Sequence, residues 1–227
     1  ESVKMYLCVF GETATDVVFQ NLVIDGKNLP CTYAIDIHSY RVADELAYCT
    51  FDNITVENVA STWIPITIMA TSAEIKNCRF TNNTGHLCGA LRIGTTAYTN
   101  ITDSTFSCNK SSGVGGAINC QGKLEMTDCT INGNEAAFGG ILVNSAAYCK
   151  MTSCTITGNS ATLGGGVAVH GETEMIDTAV YGNTGKNGAD DVRMIADAAF
   201  RMSYTSSMDS VYIGKQPIGF YKDYIGN

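Results

Sequence analysis

Six positions about one repeat apart carry the groups that chemistry would call on first: Glu45, Glu74, Asn100, Glu125, Lys150 and Glu174. Alternation within each short run places them on an outer face. Glu74 and Glu125 stand two repeats apart, about 9.6 Å if each repeat advances by one strand spacing. That separation is near the upper limit for a carboxylate pair that activates water in inverting glycoside hydrolysis. A polysaccharide lyase or glycoside hydrolase using Glu74 and Glu125 is therefore one expectation. No trio of aspartates accompanies them and no arginine shares their column, so a solvated ladder of mixed charge is the competing reading. His38 and His86 fall on outer or turn positions where no nucleophile is expected beside them. Beyond Glu74 and Glu125, no catalytic residue is assigned.

Aromatic side chains suggest binding instead. Trp63 lies in Ser61-Thr62-Trp63-Ile64-Pro65, within the excess of what reads as the longest repeat. A tryptophan at such a turn is a candidate anchor for a sugar or a protein. Tyr98 and Tyr148 occupy corresponding turns two repeats apart and would form a shallow aromatic strip.

Ten cysteines would ordinarily suggest a disulfide framework or a metal. Cys49, Cys78, Cys129 and Cys154 instead recur at one slot, shared with Ser104 and Thr178. Parity with the bulky residue two positions later turns them inward, where free thiols pack as small hydrophobes. No Cys-x-x-Cys occurs, and ligands stacked in one column do not converge on a tetrahedron, so no metal or cofactor is expected. Cys8 with Cys31, or Cys120 with Cys149, remain open as disulfide pairs.

The elements that position these residues follow from self-similarity. Cys49-Thr50-Phe51 recurs as Cys78-Arg79-Phe80, Ser104-Thr105-Phe106, Cys129-Thr130-Ile131, Cys154-Thr155-Ile156 and Thr178-Ala179-Val180, after a degenerate Asn21-Leu22-Val23. The steps are 28, 29, 26, 25, 25 and 24 residues. Three residues before the slot stand Val18, Leu46, Ile75, Ile101, Met126, Met151 and Met175; five after it stand Asn83, Asn109, Asn134, Asn159 and Asn183. Glycine-rich segments follow, such as Gly115-Gly116-Ala117-Ile118. Short period-two runs broken by Asn, Asp and Gly cannot pair as hairpins within so short a unit. They can pair in parallel with the same runs one repeat away, about 4.8 Å along an axis. The expected fold is all-β, a right-handed parallel β-helix of about seven to eight coils. Residues 1–16 would be an N-terminal cap or partial coil, 17–202 regular coils, and 203–227 a C-terminal cap or junction, all in one domain.

Phe80-Thr81-Asn82-Asn83, Phe106-Ser107-Cys108-Asn109 and Gly115-Gly116-Ala117-Ile118 resemble the repeats of chlamydial polymorphic outer-membrane proteins and of adhesin-like surface proteins. The resemblance covers roughly residues 75 to 195 and implies a β-helix of the pectate-lyase type. It departs at Ile131, Ile156 and Val180, where those repeats carry Phe. Gly188-Ala189-Asp190-Asp191 is similar to the paired aspartates of polygalacturonases, but the Gly-His-Gly and Arg-x-Lys elements of that family do not follow.

The net charge of −8 provides no basic stripe for nucleic acid or for an anionic membrane surface. No apolar run approaches the roughly 20 residues of a membrane span, so no membrane insertion of this segment is expected. Glu1 is not preceded by a leader, which reads as a segment of a larger surface protein. The leading expectation is a non-catalytic domain, extracellular or at the cell surface, that binds a host protein or glycan. A structural fibre or spacer segment is the third.

Overall fold

The computed structural model describes residues 7–9, 16–38, 48–69, 72–187, 190–194, 198–204, 211–213 and 216–218. Over these the chain is an all-β solenoid whose three sheets wrap right-handedly around one core. A ten-stranded sheet runs from Leu7–Val9 through Leu91–Ile93 to Gln216–Ile218, and only its last pairing is antiparallel. A seven-stranded sheet holds the short strands from Pro30–Cys31 to Thr184–Gly185. A thirteen-stranded sheet carries two strands per coil, such as Tyr98–Thr102 and Thr105–Ser107. Seven rungs of the seven-stranded sheet enclose six full turns, slightly fewer than the seven to eight coils expected. Seven copies of a repeat delimit only six intervals.

Each coil bends where backbone chemistry permits. Asn77, Asp103, Asp128, Ser153 and Asp177 share a left-handed conformation, with φ between 47° and 55°, and split the two strands of the large sheet. Asn and Asp adopt that region at the least cost among residues with a side chain. At the corner between the other two sheets, coils approach so closely that a Cβ on Gly89 would overlap the carbonyl oxygen of Gly116.

Register corrects the repeat at its start. Val56 pairs with Phe80, Phe80 with Phe106, Phe106 with Ile131, Ile131 with Ile156, and Ile156 with Val180, in steps of 24, 26, 25, 25 and 24 residues. Phe51 pairs instead with Ile75, and Cys49 with Ala73. The first coil is therefore the long one, with 32 residues from Ile24 to Val56. Val18 and Val23, expected inside, point outward and are exposed. Phe19 and Ile24 take the inward places, with the Phe19 ring stacked on Phe51 at 5.1 Å. Leu46 lies outside the described residues.

The thiol column survives without its first member. Cys78, Ser104, Cys129, Cys154 and Thr178 are all buried, and Ile54 stands in the place given to Cys49. Cys49 is buried in the neighbouring row with Ala73, Thr99, Leu124, Cys149 and Thr173. All nine cysteines whose side chains are described are free thiols, so neither Cys31 nor the Cys120 and Cys149 pair is bridged; the side chain of Cys8 lies outside the description. Burial pushes the thiols of Cys49, Cys88 and Cys120 up to about 12. Cys108 alone among the nine is exposed. An aromatic disulfide reagent at pH 8 should therefore label Cys108 rapidly, because thiolate and access both govern the rate. Cys108→Ser should remove that phase; persistence of the phase would show that a buried thiol is reached.

The asparagines form the expected ladder. Asn83, Asn109, Asn134, Asn159 and Asn183 are buried, and from Asn109 onward each side-chain carbonyl accepts from the backbone N–H and the amide of the asparagine before it. At one end Asn83 Oδ1 accepts from Val59 N, and at the other Asp191 Oδ1 accepts from Asn183 Nδ2 at 2.9 Å. Asp190 Oδ1 accepts from Gly185 N. Asp191 thus terminates the ladder.

Candidate functional site

The outer face of the thirteen-stranded sheet brings most of the expected residues together. One outward row reads Thr50, Glu74, Asn100, Glu125, Lys150, Glu174 and Arg201, with Thr50 in the rung where Glu45 was expected. Glu45 itself lies outside the described residues. Beside it, the row that opens the strands reads Tyr48, Ser72, Tyr98, Lys123, Tyr148 and Glu172. Tyr98 and Tyr148 therefore begin strands and do not sit in turns. They are two rungs apart, with Lys123 between them.

Charge organises this face. Lys123 Nζ lies 2.9 Å from Glu125 Oε1, 4.6 Å from the centroid of the Tyr98 ring and 5.7 Å from that of Tyr148. The Tyr98 hydroxyl donates to Glu125 Oε2 at 3.1 Å, and the Tyr148 hydroxyl donates to Glu174 Oε2 at 3.3 Å. The Lys123 ammonium beside Glu125 holds its carboxyl below the usual carboxylate range. Partial burial, followed by the bond to Glu125, raises the Tyr98 phenol. Glu74 faces Lys76 at 4.0 Å. Glu74 and Glu125 remain two rungs apart, with Asn100 between them. A general acid needs a carboxyl held protonated near neutral pH. The shift at Glu125 runs the other way.

Trp63 stands apart from the tyrosines, at the corner between the seven-stranded and ten-stranded sheets. It is 39% exposed, and its backbone N–H donates to Ser61 Oγ at 3.0 Å. The coil that holds it is of ordinary length, so it occupies no insertion. Its ring meets that of His86 at 5.7 Å. His86 Nδ1 lies 2.9 Å from Ser112 Oγ, which corrects the expectation that this histidine has no hydroxyl neighbour. Position within the repeat would have revealed the pair, since His86 and Ser112 each stand eight residues after a slot residue, Cys78 and Ser104. Among the described residues no carboxylate bonds to His86 in the manner of the third member of a nucleophilic triad.

A second surface had no sequence signal. On the outer side of the ten-stranded sheet Thr67, Asn119, Leu142 and Ala168 are buried, although they point away from the core. Asn119 Nδ2 donates to Leu87 O, and nearby the rings of Phe138 and His170 meet edge to face at 6.1 Å. Thr67 Oγ1, His170 Nε2 and Arg193 Nε are buried there without a hydrogen-bond partner among the described residues. Burial, and then Arg193, lowers the His170 pKa. Among the described residues no three His, Cys, Asp or Glu side chains converge as a metal site.

Comparison with protein families matches residues 5–147 to the one described as the right handed beta helix region, more than half of the chain. No curated protein and no solved structure matches it.

Proposed function

The chain belongs to the right-handed β-helix family, and from that premise we propose that it is a non-catalytic surface domain, extracellular or exposed on a cell, that docks a host protein or glycan. The observation that carries this reading is the outer face of the thirteen-stranded sheet. Three tyrosines recur there on alternate rungs, among carboxylates and lysines that are already paired with one another. Such a face provides rigid amphipathic area, which suits recognition, and no group poised to transfer a proton. Trp63 extends the aromatic surface at a separate corner. The likeness of the repeats to chlamydial polymorphic outer-membrane proteins and adhesin-like proteins supports the same placement, as part of a larger surface protein. The acidic balance favours neither nucleic acid nor an anionic membrane as partner.

Glycan-array and host-protein screens test the proposal. At least one partner should be retained by the parent chain and lost by Tyr98→Ala with Tyr148→Ala, both of which are surface changes. Silence in both screens, together with turnover of a polysaccharide that Glu74→Gln with Glu125→Gln abolishes, would replace it with the hydrolase or lyase reading. Silence with a stable trimer in solution would favour a fibre or spacer.

A further inference from the structure

Four stretches of the chain read Asn-x-Thr or Asn-x-Ser, the acceptor pattern for an N-linked glycan: Asn53-Ile54-Thr55, Asn82-Asn83-Thr84, Asn100-Ile101-Thr102 and Asn109-Lys110-Ser111. The fold treats these asparagines very differently. A glycosylated asparagine keeps only one hydrogen on its side-chain nitrogen, and the sugar needs room at the surface. Asn109 fails on both counts. It is fully buried, and its Nδ2 spends both hydrogens, on Phe80 O at 3.0 Å and on Asn134 Oδ1 at 2.9 Å. Asn100 is partly buried in the outward row between Glu74 and Glu125, where the Tyr98 hydroxyl crosses to Glu125. Asn53 is exposed, but its amide donates to Asn21 Oδ1 at 2.7 Å.

Asn82 differs from all three. Both Asn82 and Thr84 are exposed. The Asn82 side chain makes no hydrogen bond among the described residues, while its backbone N–H is fixed on Ser107 O at 3.1 Å. A left-handed φ of 55° sets it at the corner between the thirteen-stranded and seven-stranded sheets. The same bend carries Cys108, Gly133 and Gly158 on the following rungs, with φ of 55°, 64° and 65°. Side chains therefore dwindle along this corner. A Cβ at Gly158 would meet only the Gly133 nitrogen, at 3.8 Å. Space for a bulky group opens beside Asn82 along the axis.

We infer that Asn82, alone of the four, accepts an N-linked glycan. In the transfer, Asn82 Nδ2 forms a bond to C1 of the first sugar of a lipid-linked oligosaccharide. The bond from C1 to the polyprenyl diphosphate breaks, and the diphosphate leaves as the amide gives up one proton. The Thr84 hydroxyl is the second determinant of the pattern. In its own coil Asn82 is separated from the rows that open the strands by the bend at Asn77, so the glycan leaves the tyrosine face clear. The inference rests on the extracellular reading above, because the lipid-linked donor is met on the secretory route.

The experiment sends the intact chain, behind a secretion signal, through an N-glycosylating host cell. The secreted protein should be heavier than the chain itself, and peptide N-glycosidase should remove the excess. Release in heavy-oxygen water should leave the label at Asn82, converted to aspartate, and none at Asn53, Asn100 or Asn109. Asn82→Gln should lose the excess mass, and Thr84→Ala should lose it with the asparagine in place. Thr84→Ser should retain it. No excess mass, an excess that survives Asn82→Gln and Thr84→Ala, or label at Asn109 in the folded chain would each overturn the inference. A glycosylated chain that finds no partner in the screens would keep the acceptor and remove the docking face. An unmodified chain that binds a partner would do the reverse.

Discussion

Replacing Asn134 by alanine should destabilise the solenoid by roughly 3 kcal/mol or more, since three buried groups lose a partner and each costs about 1–3 kcal/mol. Asn134 sits at the middle of the ladder, 1% exposed. Its side-chain carbonyl accepts from both the backbone N–H and the amide of Asn109, each at 2.9 Å. Its amide donates to the Phe106 carbonyl at 3.0 Å and to Asn159 Oδ1 at 2.8 Å. Alanine therefore orphans two donors on Asn109 and the acceptor on Phe106, all inside the turn. Alanine also leaves a gap where the amide packed. Urea titration of parent and variant measures the loss, and hydrogen exchange at the Asn109 amide locates it. A second variant separates this mechanism from a general intolerance of the turn. Asn77→Ala removes an exposed amide that bonds Asp52 at 3.2 Å and should cost far less, although its left-handed φ of 55° adds some strain. Equal costs for the two variants would mean that backbone conformation, rather than ladder bonding, holds the coil.

The ladder was legible in the sequence because asparagine recurs at one slot and every copy does the same job. The solenoid was legible for the same reason. The first two repeats were misaligned, and the strand itself explains why. Within Tyr48–Glu57 the inward residues are Cys49 and Phe51, then Ile54 and Val56, on either side of the left-handed Asn53. A shift of five residues maps one inward pair onto the other, so hydrophobic alternation cannot distinguish the two registers. Cys49-Thr50-Phe51 matched Cys78-Arg79-Phe80 by residue type, whereas the structure matches it to Ala73-Glu74-Ile75. The bend residues carry the missing information, since Asn53 and Asn77 share φ values of 53° and 55°.

The candidate site was legible only in part. Glu74, Glu125, Tyr98 and Tyr148 do share one face, because outward rows follow from register once the later coils are aligned. Tyr48 escaped notice because the misplaced register put it one position before a core cysteine of the wrong row. Lys123 escaped because its role depends on side-chain reach across rungs, which spacing along the chain does not encode. The buried outer positions on the ten-stranded sheet escaped for a related reason. Thr67 and Asn119 occupy places that alternation marks as exposed, and only the height of neighbouring turns buries them.

Phe106→Ala should cost about 3–5 kcal/mol, the range for truncating a buried phenylalanine, and should change how the rod unfolds as well as how readily. The ring is fully buried and stacks on Phe80 with centroids 4.6 Å apart at 17°. Its row continues with Ile131 on the next rung, so the cavity would be walled by an aromatic face on one side and a branched aliphatic on the other. Neither can fill it without moving a strand that is paired on both sides. In a solenoid each coil contacts only its neighbours, so stability is close to a sum of coil and interface contributions. A deep loss at one rung then weakens the two interfaces it shares and leaves distant ones intact. Hydrogen exchange should show protection falling first for the strands Arg79–Thr81, Thr105–Ser107 and Thr130–Asn132. Protection in Thr155–Thr157 should hold to higher denaturant. Phe106→Ile, which copies the residue found at Ile131 and Ile156, should restore most of the loss because it refills the row with a shape the adjoining coils already accept. A uniform fall in protection along the whole rod would show that the coils unfold as one unit, and would reject the nearest-neighbour account of this core.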